Sequence, residues 1–105
     1  MSELTPRQLR QGRFWRKYLR LSRAGVPTLR ALEIIREEET SAFQEIVGYL
    51  HDRMSKGHPL SEAMKDRTRE FSLSACELIR TAEKEGRWDL VLEELAEGLL
   101  EGTFD

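Results

Sequence analysis

A chain of 105 residues is long enough for one domain with a modest core and too short for two. Its formal net charge of −2, with 34% of residues charged, excludes neither a protein partner nor a local basic patch and suits a helical bundle with wet outer faces. One cysteine excludes an internal disulfide and fits a reducing compartment. No run approaches the roughly 20 apolar residues that span a bilayer, and the N-terminus lacks the apolar core of a signal peptide, so a cytoplasmic or peripheral location is expected.

The elements follow in chain order. Thr5-Pro6-Arg7-Gln8 is a helix start: Thr5 caps, Pro6 suits the first helical position, and Gln8 completes a capping box. The helix is expected to run to Ala24. At about 100° per residue, Phe14, Tyr18 and Leu21 share one face, with Trp15, Leu19 and Ser22 widening it. Arg10, Arg13, Arg16, Lys17, Arg20 and Arg23 fill the other side. Gly25-Val26-Pro27-Thr28 ends it, with Thr28 as the expected cap of a second helix that carries Leu29, Ala31, Leu32, Ile34 and Ile35 to about Glu38.

Thr40-Ser41 opens a third helix, on which Phe43, Ile46, Val47, Leu50 and Met54 follow the spacing of a buried stripe. It closes at Gly57. Pro59 blocks extension, and Ser61 is the expected cap of a short fourth helix with Ala63 and Met64 inside. Phe71 precedes Ser72, which competes with Ser74 for the start of a fifth helix whose expected inner stripe is Leu73, Cys76, Ile79 and Ala82. Gly86 closes that helix. A sixth, from about Trp88, buries Leu92, Leu95, Ala96 and Leu99. No segment alternates like a strand. The expected fold is all-α, an antiparallel bundle of about six helices forming a single domain over residues 1–105.

Charge is divided between the ends. Residues 1–30 hold eight Arg or Lys against Glu3 alone, and residues 77–105 hold nine acids against Arg80, Lys84 and Arg87. The basic face of the first helix (Arg13, Arg16, Lys17, Arg20, Arg23) and the acidic last helix (Glu93, Glu94, Glu97) are therefore the candidate partner surfaces. A basic helix carrying aromatics also admits two other readings. One is a nucleic-acid backbone footprint; the other is docking on an anionic membrane, which requires Phe14, Trp15 and Tyr18 to be free for lipid.

Catalytic constellations are absent from the sequence. His51 and His58 have no second His or Cys at metal spacing, Cys76 lies on an apolar stripe without an obvious base, and no glycine-rich phosphate loop is present. No metal, cofactor or small-molecule substrate is expected, and the chain is read as a non-enzyme.

An ordered set of turns carries more. Phe14 stands eleven residues before Gly25-Val26-Pro27, and Ala31-Leu32 follows. Gly57-His58-Pro59-Leu60-Ser61-Glu62-Ala63, then Phe71, then Glu83-Lys84-Glu85-Gly86 with Asp89, Leu92 and Leu95-Ala96 complete the series. This set resembles the cytoplasmic domain of the type II secretion system F family, the inner-membrane platform proteins of type II secretion and type IV pilus assembly. The resemblance implies a six-helix domain on the cytoplasmic face of the inner membrane, a homodimer or other oligomer, and contacts with an assembly ATPase and other platform proteins. It also marks Phe14, Gly25, Pro27, Gly57, Phe71, Glu83, Gly86 and Asp89 as motif positions with a structural role. For Glu83, one turn before Gly86, that role is either accepting from the backbone N–H groups of a neighbouring helix start or pairing with Arg80 or Arg87. Thr28 and Trp88 depart from the family pattern, as does a chain with one domain and no membrane helix. That leaves an excised domain and a stand-alone soluble adaptor both open. Nucleic acid is not the expected partner.

Overall fold

The computed structural model describes residues 3–103. Among these residues there are six helices and no strand: α1 Pro6–Arg23, α2 Thr28–Glu38, α3 Phe43–Ser55, α4 Leu60–Lys65, α5 Leu73–Glu85 and α6 Trp88–Glu101. Each helix packs on the next in the chain, and α1 packs on α6, so the helices form a closed ring. The α1–α6 pair is the most extensive contact. It is antiparallel, because Gly12 of α1 lies under Leu100 of α6 while Arg23 reaches Glu93. A Cβ at Gly12 would stand 2.5 Å from Leu100 Cγ, so the missing side chain is what lets the two helices approach this closely.

The α1 start forms as its residues dictate. Thr5 Oγ1 accepts from Gln8 N–H, and the Gln8 side chain accepts from Thr5 N–H in return. Ser72 wins the start of α5, its hydroxyl accepting from Ala75 N–H at 3.2 Å. Two expected caps are overturned. Thr28 and Ser61 lie inside the first turns of α2 and α4, and the cap positions belong to Pro27 and Pro59. Proline presets the extended backbone of a cap residue (φ −61°, ψ 150° at Pro27; φ −64°, ψ 152° at Pro59), which shifts each helix start by one or two residues.

Residues 21–27 and 53–59 are the same turn built twice. Gly25 N–H donates to Ser22 and Val26 N–H to Leu21; Gly57 N–H donates to Met54 and His58 N–H to Arg53. This pair of bonds satisfies the last carbonyls of a helix through a left-handed residue, here Gly25 at φ 84° and Gly57 at φ 95°. In each turn an alanine four residues past the proline, Ala31 or Ala63, is buried at the helix crossing. The likeness is confined to Gly-x-Pro-x-x-x-Ala and does not extend to a repeat.

Phe14, Trp15, Tyr18, Phe43 and Phe71 meet at the centre. Phe14 packs edge-on against both Trp15 (4.7 Å between centroids) and Phe43 (5.5 Å), and Trp15 reaches Phe71. This arrangement ties α1 to α3 and to the loop before α5. Trp15 is fully buried, and its indole N–H finds no acceptor among the described residues, which costs about 1–3 kcal/mol against the burial of its large ring. Because Phe14, Trp15 and Tyr18 are all core, the face that lipid insertion requires is not available.

Leu73 is a third correction. It is 70% exposed, and the inner stripe of α5 is Ala75, Cys76, Ile79 and Ala82. Spacing by threes drifts by about 60° per step, which puts Leu73 roughly 130° from the centre of that stripe.

Candidate functional site

Glu83 sits in the last turn of α5, facing the start of α4. α4 follows Pro59 without a side-chain cap of its own, so its first N–H groups need an outside acceptor. Glu83 supplies it. One carboxylate oxygen accepts from Ser61 N–H at 3.0 Å and the other from Ser61 Oγ–H at 2.5 Å. A negative charge at a helix N-terminus is also favoured by the helix dipole. Of the two roles expected for Glu83, the hydrogen bonds match the first: it caps α4 from another helix, and among the described residues it makes no ion pair with Arg80 or Arg87. The same charge is felt by Tyr18. Burial raises the Tyr18 phenol above its ordinary value, the Thr28 hydroxyl beside it opposes that shift, and Glu83 adds a smaller upward push.

A second carboxylate, Glu70, lies in the loop before α5. Arg10 of α1 grips it in two-pronged fashion, with Nη2 at 2.7 Å from Oε1 and Nε at 3.0 Å from Oε2. Gln11, itself buried, donates to Glu70 Oε2 at 2.9 Å and also to the Glu70 carbonyl. Glu70 is 7% exposed. Local periodicity does not single out this cluster. Its signal was Gln11, a polar residue standing one turn before Trp15 on the apolar stripe of α1, where a buried amide demands partners.

The basic and acidic surfaces expected at opposite ends of the chain lie side by side. α1 and α6 are neighbours, and a shallow depression between them is lined by Arg16, Arg20 and Arg23 on one side and Glu93 and Glu97 on the other. Arg23 pairs with Glu93 at 3.1 Å and lies 3.8 Å from Asp89, in the first turn of α6. Lys17 pairs with Glu38 at 2.6 Å. Arg13, Arg16 and Arg20 are exposed and make no ion pair among the described residues. Glu94 turns away from this depression, towards α5.

The other motif positions fall in the core, in the turns and, for Asp89, on the exposed first turn of α6. Phe14 and Phe71 are core, and Gly25, Pro27 and Gly57 form the paired turns described above. Gly86, at φ 73°, lets α5 end with its N–H bonded to Ala82 before α6 begins. No atom lies within 4 Å of a Cβ built there, so the demand for glycine comes from the backbone alone.

Cys76 is buried, and burial pushes its thiol up, away from the reactive thiolate. His51 and His58 lie beside Asp52 and Glu62, and among the described residues no group of three His, Cys, Asp or Glu side chains is arranged to hold a metal ion. No helix among the described residues is long and apolar enough to cross a membrane.

The family profile of type II secretion system (T2SS), protein F matches residues 14–103, from the first core aromatic to the end of α6. The chain belongs to that family. Within it, the type IV pilus assembly protein TapC of Aeromonas hydrophila is 31% identical over 74 residues, 70% of this chain and 18% of its own length. The type 4 fimbrial assembly protein PilC of Pseudomonas putida is 34% identical over 89 residues, 84% of this chain and 22% of its own. The chain thus spans about a fifth of the length of the curated relatives it matches. In this chain Glu83 caps α4, and Gly86 ends α5 in the left-handed region.

Proposed function

We propose that the chain is a non-catalytic protein-interaction domain of a type II secretion or type IV pilus assembly platform. It docks an assembly ATPase and other platform components, acts as a homodimer or larger oligomer, and works as one domain on the cytoplasmic face of the inner membrane, either within a longer protein or alone. The observation that carries this reading is the family match over residues 14–103, together with two relatives named for pilus assembly. The exposed charges of α1 and α6 supply surfaces on which docking can be steered.

Mixing the purified chain with the assembly ATPase of the same machine and measuring co-elution by size exclusion tests the proposal. A complex that weakens when Arg13, Arg16 and Arg20 or Glu94 and Glu97 are reversed in charge is the expected result. No complex at any salt concentration sinks it. The alternative, a stand-alone adaptor or nucleic-acid-binding bundle, draws on Arg13, Arg16 and Arg20, which are exposed along one helix and make no ion pair among the described residues. DNA or RNA binding that falls steeply with salt would favour it.

A further inference from the structure

Two of the three large apolar side chains that stand exposed among the described residues lie on α5 and α6: Leu73 at 70% and Leu90 at 65%. Single exposed leucines need no explanation, but Leu73 lines a groove and Leu90 stands one helical turn before Glu94, which lines it from the other side. Leu73, Glu77, Leu78 and Thr81 line it from α5, and Glu94 lines it from α6, one turn along from Leu90. Leu78 is half-buried against the core. Glu77 and Glu94 make no ion pair among the described residues, unlike Glu38, Glu70 and Glu93 elsewhere.

We propose that this acid-rimmed apolar groove between α5 and α6 docks a basic amphipathic helix of a partner protein. Apolar anchors at helical spacing would fill the groove between the leucines, and flanking Lys or Arg would meet Glu77 and Glu94. The charge argues against a second copy of this chain. A two-fold contact through the same face brings Glu77 and Glu94 of both copies into one interface whose groove lining carries no Lys or Arg, and like charges gathered there are repulsive. The chain's own basic helix cannot serve either, since its apolar residues Phe14, Trp15, Tyr18 and Leu19 are spent in the core.

The inference rests on the docking reading above and names the chemistry of the partner. A synthetic amphipathic helix of about five turns, with leucines at i, i+3, i+4 and i+7 and lysines on its flanks, tests the groove directly. A second peptide carries glutamates in place of the lysines. Titrated against the whole chain by fluorescence anisotropy, the lysine peptide binds, and binding weakens with salt. Leu73→Ser with Leu90→Ser lowers its affinity about tenfold or more, and Glu77→Lys with Glu94→Lys transfers the preference to the glutamate peptide. All four positions are exposed, so the variants keep the wild-type circular dichroism. The proposal is overturned if neither peptide binds, if both bind equally, or if the leucine variant binds as well as wild type. It is also overturned if sedimentation finds a dimer that Leu90→Ser dissociates, because the face then belongs to a second copy. The peptide reports on the groove and the ATPase mixture on the function, so either can fail without the other.

Discussion

Two ion pairs of this molecule have nearly the same length and different physical weight. Arg10 meets Glu70 at 2.7 Å and Lys17 meets Glu38 at 2.6 Å. The Glu70 side chain is 9% exposed and also accepts from Gln11, whereas the Glu38 side chain is 51% exposed and has water on most sides. Distance alone would rank them equal. Burial separates them, because a carboxylate out of water depends on its donors and one in water does not. Glu83 stands between the two, half-buried, holding the first turn of α4. The inner acids are struts that join helices far apart in the chain, and the outer acids stay in water.

The comparison breaks most sharply at Glu70. Replacing it by Ala leaves Arg10 without its carboxylate and takes one of its two acceptors from the buried Gln11 amide, and urea unfolding should lose about 2–3 kcal/mol. A loss no greater than that of an exposed pair would show that the cluster is merely a surface contact. Glu83→Ala comes next, at about 1–2 kcal/mol, the range of a lost helix cap. The double variant with Ser61→Ala should cost less than the sum of the singles, since each change removes the same bond. Glu38→Ala should lower the unfolding free energy by about 0.5 kcal/mol or less, an effect that salt erases.

The smallest effect at neutral pH belongs to Tyr18, and it sharpens the position of Glu83. Burial chiefly, and Glu83 to a lesser degree, raise the Tyr18 phenol in the folded chain above its unfolded value near 10. The folded state therefore holds the proton more tightly. The stability linked to it is fully present below pH 10 and is lost as pH rises through the folded value. Tyr18→Phe should leave stability at pH 7 almost unchanged and make the alkaline fall shallower. Spectrophotometric titration of the tyrosines should find the Tyr18 step moved downward in Glu83→Ala.

The six helices, their order and most of their inward faces could be read from the chain because those signals are local. A capping box at Thr5 and Gln8, glycines at 25, 57 and 86, and apolar residues three and four apart act within a turn or two of backbone. The family could be read for the same reason, as its motif is a series of turns at fixed spacing. Where the local rules competed, reading faltered. Proline displaced Thr28 and Ser61 from the cap positions, and a spacing of threes placed Leu73 inside when helical geometry carries it outside.

Tertiary structure decided which polar groups meet. Arg10 and Glu70 are sixty residues apart, and Ser61 and Glu83 are twenty-two apart. Nothing in local periodicity pairs them; the closing of the helix ring does. The same closure set the basic face of α1 beside the acidic face of α6, so that Arg23 pairs with Glu93, while Glu77 and Glu94, beside Leu73, make no ion pair among the described residues. Backbone rules and hydrophobic spacing are short-range and belong to the sequence. The desolvation that turns one glutamate into a strut and leaves another at the surface depends on what packs above it, and only the assembled fold supplies that.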